Sequence, residues 1–192
     1  RDQSGAVTAS TFVHFYWIWN GTTLASLSSA TAPPTGPTLP TGYTHWGYAG
    51  AAFLDSASAL LKTYINGSWA TFQVARSIAQ TATATETAMT MTTFRPANAL
   101  NLALVIETNH GALASTSVEI NANLFIASGT VWYTTRHQLA LAGVPNITQM
   151  VGRTFSIIVP ETGYLAYSGN SPNGATTVQV LITGYQLPNG GE

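Results

Sequence analysis

Residues Ser10–Phe72 read STFVHFYWIWNGTTLASLSSATAPPTGPTLPTGYTHWGYAGAAFLDSASALLKTYINGSWATF, and this stretch decides the fold. Its first segment, Phe12–Trp19, carries large apolar side chains at successive positions, which is typical of a β-strand with two apolar faces. Alternation divides the segment into two faces, with Phe12, His14, Tyr16 and Ile18 on one and Val13, Phe15, Trp17 and Trp19 on the other. We therefore expect this strand to lie between a core and a second surface.

Turn signals divide the rest of the stretch into further strands. Asn20-Gly21 directly after the first strand predicts a tight turn, and the proline-rich segment Thr31–Leu39 predicts an extended loop. The other predicted elements are strands at Leu24–Leu27, Tyr43–Leu54, Leu60–Ile65 and Trp69–Ala75, with turns at Asp55–Ser58 and Asn66-Gly67.

The second half of the chain also has a strand-rich pattern. Ser77–Thr93 is rich in Thr and Ala and is predicted as a strand or as a linker between two halves. Further strands are predicted at Leu100–Thr108, Ser117–Ala127, Val131–Thr135, Thr154–Val159, Gly163–Tyr167 and Thr176–Tyr185, with one short helical turn at His137–Ala142 or Asn146–Val151. The pattern predicts an all-β fold, an antiparallel β-sandwich or jelly-roll-like domain with little helix. It forms either one domain over residues 1–192 or two sub-modules, 1–76 and 94–192.

The composition is poor in charge. Only 7% of the residues are charged, against about 25% in an average soluble domain, and the net charge is −1. Because little electrostatic repulsion separates copies of such a protein, we expect the chain to associate stably with itself. The six Lys and Arg residues are scattered along the chain, which argues against a nucleic-acid-binding function.

The chain contains no cysteine and no run of about 20 apolar residues. We therefore expect no disulfide, no Cys-ligated zinc and no membrane insertion. The chain begins at Arg1 and not at Met. We expect an upstream region that anchors this domain to other proteins.

Catalytic motifs are sparse. The sequence has no nucleophile elbow and no phosphate-binding Gly-rich loop, so we predict no catalytic residues and no cofactor. Glu107 and Glu119 would face each other across a turn at Asn109–Gly111, and this pair is the only basis for predicting a polysaccharide depolymerase. The four histidines lack metal-ligand spacing, so we predict no metal site, and His14 is expected in a core or an interface.

Aromatic residues offer a second kind of site, a platform on which sugar rings stack. The candidates are Trp17, Trp19, Tyr43, Trp46, Tyr48, Tyr64, Trp69, Trp132 and Tyr133. Most such residues serve as core or subunit-interface residues, because Trp and Tyr dominate both environments. Trp46 and Tyr48 lie next to a turn and, with His45, are the predicted ligand-binding residues.

The order of these features resembles a module of structural and fibre-like proteins of tailed bacteriophages. The resemblance covers about residues 10–75, roughly a third of the chain. It is carried by the aromatic strand Thr11–Asn20, the segment Leu27–Pro33, the run Thr38-Leu39-Pro40-Thr41-Gly42-Tyr43-Thr44, Gly50 and the turn at Asp55-Ser56. This chain departs from the module where His45-Trp46-Gly47-Tyr48 replaces basic residues and where Pro34-Thr35-Gly36 lengthens the loop.

The resemblance implies a β-sandwich in a virion, as part of a fibre, a spike or a head or tail decoration. It implies that the partners are further copies of the chain, with a homotrimer expected, and other virion proteins reached through the upstream region. The alternative is a tip domain that binds a host-surface glycan without catalysis.

Overall fold

A computed structural model describes residues 7–81, 87–88, 93–110, 117–127, 130–140, 150–158, 166–170 and 176–188. Within these residues the chain forms twelve β-strands and no helix, which confirms the all-β prediction. The strands are β1 (Phe12–Trp19), β2 (Leu24–Ser29), β3 (His45–Phe53), β4 (Thr63–Asn66), β5 (Trp69–Thr81), β6 (Thr87–Ala88), β7 (Asn101–His110), β8 (Ser117–Ala127), β9 (Thr130–Ala140), β10 (Met150–Ile158), β11 (Ala166–Asn170) and β12 (Thr176–Gln186).

The strands are arranged in three sheets. Their orders are β2-β1-β3, β10-β7-β12-β5-β4 and β6-β11-β8-β9. The three-stranded and four-stranded sheets are antiparallel, and so is the β4–β5 pair. This architecture agrees with the predicted antiparallel β-sandwich.

Contacts divide the chain into two compact units. The first comprises Arg1–Val74, Thr92–Leu102 and Gly184–Glu192, and the second comprises Ala75–Met91 and Ala103–Thr183. The boundary after Val74 lies close to residue 76, where the first predicted sub-module ends, and two later segments of the chain return to the first unit.

The second unit has an alternating apolar core on β7 and β12, which are neighbours in the five-stranded sheet. Its described buried residues are Leu104, Ile106, Val178, Val180 and Ile182. Alternate residues are thus buried from Leu104 to Ile106 in β7 and from Val178 to Ile182 in β12, as expected where a sheet buries one face.

In the first unit, β1 is the central strand of the three-stranded sheet and pairs with both β2 and β3. Its predicted bounds, Phe12–Trp19, are confirmed. The pairing with β3 shifts register between Phe15 and Tyr16, because Phe15 lies opposite Gly50 whereas Tyr16 lies opposite Tyr48. Ala49 is thus the extra residue of a β-bulge, and the bulge determines which β3 side chains point inward.

The inner face of this sheet is built around Tyr16, Ile18 and Leu27, which are buried together. The partly buried residues packed against them are Ala25, Leu39, Tyr43 and Tyr48. The phenol of Tyr16 donates a hydrogen bond of 2.5 Å to the Thr31 carbonyl, so the buried hydroxyl is satisfied and the proline-rich loop is tied to the core.

A second aromatic cluster extends the core of the first unit. Phe12, Phe53, Phe72, Phe94 and Tyr185 contact one another with ring centroids 4.8 to 6.2 Å apart, mostly edge to face. Tyr185 donates a hydrogen bond of 2.9 Å to the Ala51 carbonyl. This bond satisfies a backbone oxygen of β3 within the core.

The Leu-Pro-Thr-Gly-Tyr-Thr run forms a β-turn. The amide of Tyr43 donates to the Pro40 carbonyl at 3.1 Å, and Gly42 has φ of +91° at the third position of the turn. A positive φ there is the mark of a type II turn and favours glycine. The turn delivers Tyr43 onto the inner cluster, so the motif is part of the core.

The other predicted turns of this half are confirmed. The Asn20 side-chain oxygen accepts from the amides of Thr22 and Thr23, and the Asp55 carboxylate accepts from the amides of Ala57 and Ala59. Gly67 has φ of +58° in the hairpin between β4 and β5. The turns at Asn20 and Asp55 were predictable because each depends on a short side chain that hydrogen-bonds to amides only a few residues later in the sequence.

Several predicted boundaries shift. β4 begins at Thr63, because Leu60 forms only an isolated bridge with Leu54. The start of Ser77–Thr93 is the end of β5, which runs to Thr81. The predicted helical turn is wrong where residues are described: His137–Ala140 belong to β9 and Met150 and Val151 to β10, whereas 141–149 lie outside the described residues.

We predict that Gly42→Ala lowers the free energy of unfolding by about 1 to 2 kcal/mol, because alanine is strained at a positive φ. Gly47→Ala is the matched control, since a Cβ there meets no atom within 4 Å and its φ is outside the left-handed region. Urea unfolding followed by fluorescence measures both variants. Equal stabilities of the two variants would contradict the assigned turn.

Candidate functional site

The three predicted ligand-binding residues lie on β3, but they do not share a face. His45 is opposite Trp19 on the outer face of the sheet, whereas Trp46 and Tyr48 are opposite Ile18 and Tyr16 on the inner face. The structure therefore brings Trp46 and Tyr48 together and separates both from His45. Their binding of a ligand stays a prediction.

Trp46 packs against the inner cluster and the proline-rich loop. Its ring meets Tyr16 edge to face with centroids 5.3 Å apart. It also lies under Gly36, where an added Cβ would be only 2.5 Å from the indole carbon Cζ2. Gly36 is thus required for close approach of the loop, and Trp46 remains 37% exposed despite these contacts.

Tyr48 is the middle member of a hydrogen-bonded chain in the interior. Its hydroxyl donates to the Asn98 Oδ1 atom at 3.4 Å and lies 3.1 Å from Nδ1 of His14. Burial raises the pKa of Tyr48 to about 12, although the bond to Asn98 acts in the opposite direction. Tyr48 is therefore a neutral phenol that links three segments of the first unit.

His14 is buried, as predicted for a core residue. Burial lowers the pKa of its imidazole to about 4, so the ring is neutral at physiological pH. Because the Tyr48 hydroxyl donates to Asn98, His14 Nδ1–H is the donor to the Tyr48 oxygen. The pair packs with ring centroids 5.9 Å apart.

The outer face of the three-stranded sheet carries the large exposed aromatics of β1. Trp17 is 53% exposed and Trp19 is 38% exposed, and Leu24, opposite Trp19, is also exposed. Exposure is confined to one end of the strand, because Val13 is buried and Phe15 is half-buried. The expectation of a second covering surface thus holds for only part of this face.

The neighbours of Trp17 on both flanking strands are small. Ser26 of β2 and Gly47 of β3 lie directly opposite it, and Phe15 likewise has Ser28 and Gly50 as neighbours. An added Cβ at Gly47 or at Gly50 would meet no atom within 4 Å. The surface beside the Trp17 indole is therefore open. We define Trp17, Trp19, Leu24, Ser26, His45 and Gly47 as the outer platform.

This region also lacks full charges. No Lys, Arg, Asp or Glu occurs between Asp2 and Asp55, which includes all of β1, β2 and β3. The alternation of large apolar residues in β1 predicted two apolar faces and placed Trp17 and Trp19 on the same one. It did not show which of the two faces is buried.

A second exposed apolar area lies on β4, the last strand of the five-stranded sheet. Tyr64 is 65% exposed and Ile65 is 70% exposed. Ile65 also lines a cavity of about 260 Å³ with Trp69, Leu187, Pro188 and small residues of β3 and β5. The cavity lies entirely within the first unit.

The acidic pair is not joined by a hairpin. β7, which contains Glu107, has β10 and β12 as neighbours, and β8 places Glu119 opposite Gln138 of β9. The geometry that motivated a depolymerase, two acids facing across one turn, is therefore wrong.

The described residues include no group of three or more His, Asp or Glu side chains placed to hold a metal ion. They also include no helix with the length and apolarity needed to cross a membrane.

No protein-family model matches the chain, and no curated protein is significantly similar to it. The resemblance to the tailed-phage module therefore stays a prediction.

We predict that stability falls as the pH is lowered from 6.5 towards 4. In this window the unfolded chain binds a proton at His14 and the folded protein does not, so protonation stabilises the unfolded state relative to the folded state. The loss approaches about 1.4 kcal/mol per pH unit within this window.

The measurement is chemical denaturation of the wild type and of His14→Gln at several pH values. The difference between the two proteins gives the contribution of His14 to the pH dependence of stability, because both contain the same carboxylates. A variant with the same pH dependence as the wild type would contradict the assignment of a neutral buried imidazole.

Proposed function

We propose that this chain is a structural β-module of a tailed-bacteriophage virion, in a fibre, spike or decoration position. The observation that carries the proposal is the role of the motif residues within the fold. Leu39 and Tyr43 pack on the Tyr16 cluster, and Gly42 supplies the turn between them. The motif thus contributes to the core and the turns of the first unit, which supports the structural role that the resemblance implies for it.

Self-association is the second part of the proposal. An exposed apolar strand at the edge of a sheet is a surface that proteins normally blunt or cover. Among the described strands β4 pairs with β5 alone, and it presents Tyr64 and Ile65 to solvent without a charge within the strand. A second copy of the chain is the proposed cover, and a homotrimer is the expected assembly.

A second candidate function is recognition of a host-surface glycan. The observation that favours it is the outer platform, where two exposed indoles lie beside small and hydroxyl-bearing neighbours. The two functions are compatible, because a virion appendage both assembles and adsorbs.

We predict that Ile65→Lys reduces self-association, because it places a charge in the exposed edge of β4. Light scattering coupled to gel filtration is expected to give an oligomer for the wild type and a mass near 20.2 kDa for the variant. Thr41→Lys adds the same charge at an exposed turn position outside this edge and should keep the oligomeric mass.

A wild-type chain that is monomeric at all concentrations would contradict the assembly proposal. The virion assignment is tested separately, by immunogold labelling of purified phage particles from the source of this sequence. Regular labelling of heads, tails or fibres is expected, and particles that lack the chain would refute it.

A further inference from the structure

We propose that the outer platform binds a neutral saccharide, with pyranose rings stacked on the indoles of Trp17 and Trp19. This inference uses only the geometry of the three-stranded sheet. It therefore stands or falls independently of the virion assignment, although it would supply the ligand class for the glycan-binding alternative.

The two indoles are spaced for successive rings of one saccharide chain. Trp17 and Trp19 are two residues apart on β1 and lie on the same face, so their Cα atoms are separated by about 7 Å. An oligosaccharide that runs along β1 therefore meets two aromatic positions in sequence. Aromatic side chains are rigid, so a stacked ligand costs little side-chain ordering.

The indole of Trp17 is accessible from the side because both flanking residues are small. Ser26 and Gly47 lie opposite it on the two neighbouring strands, and the space above Gly47 is empty. A large residue at either position would cover the ring. The indole of Trp17 thus projects between two small neighbours, and a pyranose ring can approach its face from the side of Gly47.

Polar groups at the margin of the platform suit sugar hydroxyls. Ser26 is exposed beside Trp17, and His45 is exposed beside Trp19. Nδ1 of His45 is 2.9 Å from the Thr44 hydroxyl, which helps to orient the ring. Hydroxyl and imidazole groups both donate and accept, as the hydroxyls of a saccharide do.

The absence of charged residues from the platform favours a neutral saccharide over an acidic one. Recognition of a sulfated, phosphorylated or uronic-acid-rich polymer normally uses Arg or Lys for charge-assisted hydrogen bonds. No such residue occurs between Asp2 and Asp55, the segment that contains the whole platform. A neutral glycan is therefore the favoured ligand.

The size of the platform favours a small ligand over a protein. The platform comprises six residues, Trp17, Trp19, Leu24, Ser26, His45 and Gly47. A stable protein interface uses about 20 to 30 residues on each partner. The platform is far smaller than that, so a second copy of the chain is not the favoured occupant.

The test is a glycan array of neutral and acidic pyranose oligosaccharides probed with the whole chain, followed by titration of the best neutral hit with tryptophan fluorescence as the readout. Trp17→Ala should weaken binding about tenfold or more, because it removes one stacking position. Gly47→Val should weaken it similarly by covering the Trp17 ring, and no atom near Gly47 opposes the added Cβ.

The control is Leu100→Ala, which removes an apolar side chain of similar exposure from outside both the outer platform and β4 and should leave the affinity unchanged. Circular dichroism and urea unfolding check that each variant is folded. Because Gly47→Val removes no side chain, its effect does not depend on the stability of Trp17→Ala.

Three outcomes would overturn the proposal. The first is no saturable binding to any neutral glycan, and the second is full binding by Gly47→Val. The third is a smaller oligomeric mass for Trp17→Ala, which would make the platform a subunit interface. Neutral-glycan binding that both platform variants lose, with the oligomeric mass unchanged, would support it.

Discussion

The constraint on which the rest of the structure depends is that β1 carries large apolar side chains on both faces. One face closes a core around Tyr16, and this core fixes the pairing with β2 and β3. Burial of a large apolar side chain contributes about 1.5 to 3 kcal/mol, so the inner face alone provides a substantial driving force. On the outer face Trp17 and Trp19 are exposed. Because the core does not account for these two side chains, they are candidates for binding a ligand.

The β-bulge at Ala49 determines which β3 side chains lie on each face of the sheet. Phe53 points inward, opposite Phe12, and a regular strand counted back from it would direct Ala49, Gly47 and His45 inward. The extra residue reverses this assignment, so that Trp46 and Tyr48 face the core and Gly47 faces the outer platform. The same bulge therefore builds the His14–Tyr48–Asn98 chain and clears the space beside Trp17.

Much of the local structure was predictable, because its causes are local. β1, the Asn20-Gly21 turn, the Asp55 turn and the hairpin at Gly67 follow from alternation and from turn residues that bond their own neighbours. The all-β class follows for the same reason. For the candidate site, the sequence indicated that aromatic residues of this sheet were candidates, but it did not show which of them are exposed. A bulge leaves little trace in a single sequence, so the division of His45, Trp46 and Tyr48 between the two faces of the sheet could not be predicted. The order of strands in the larger sheets depends on distant pairings such as β5 with β12, which periodicity does not encode.

Hydroxyl-radical footprinting of the protein in solution, read residue by residue by mass spectrometry, tests most directly whether the two faces of β1 differ. We expect rapid oxidation of Trp17 and Trp19, strong protection of Tyr16, and loss of the Trp17 signal when a neutral oligosaccharide is bound. Protection of Trp17 without any saccharide would contradict the exposed outer platform, because the outer face would then be a packing surface like the inner one.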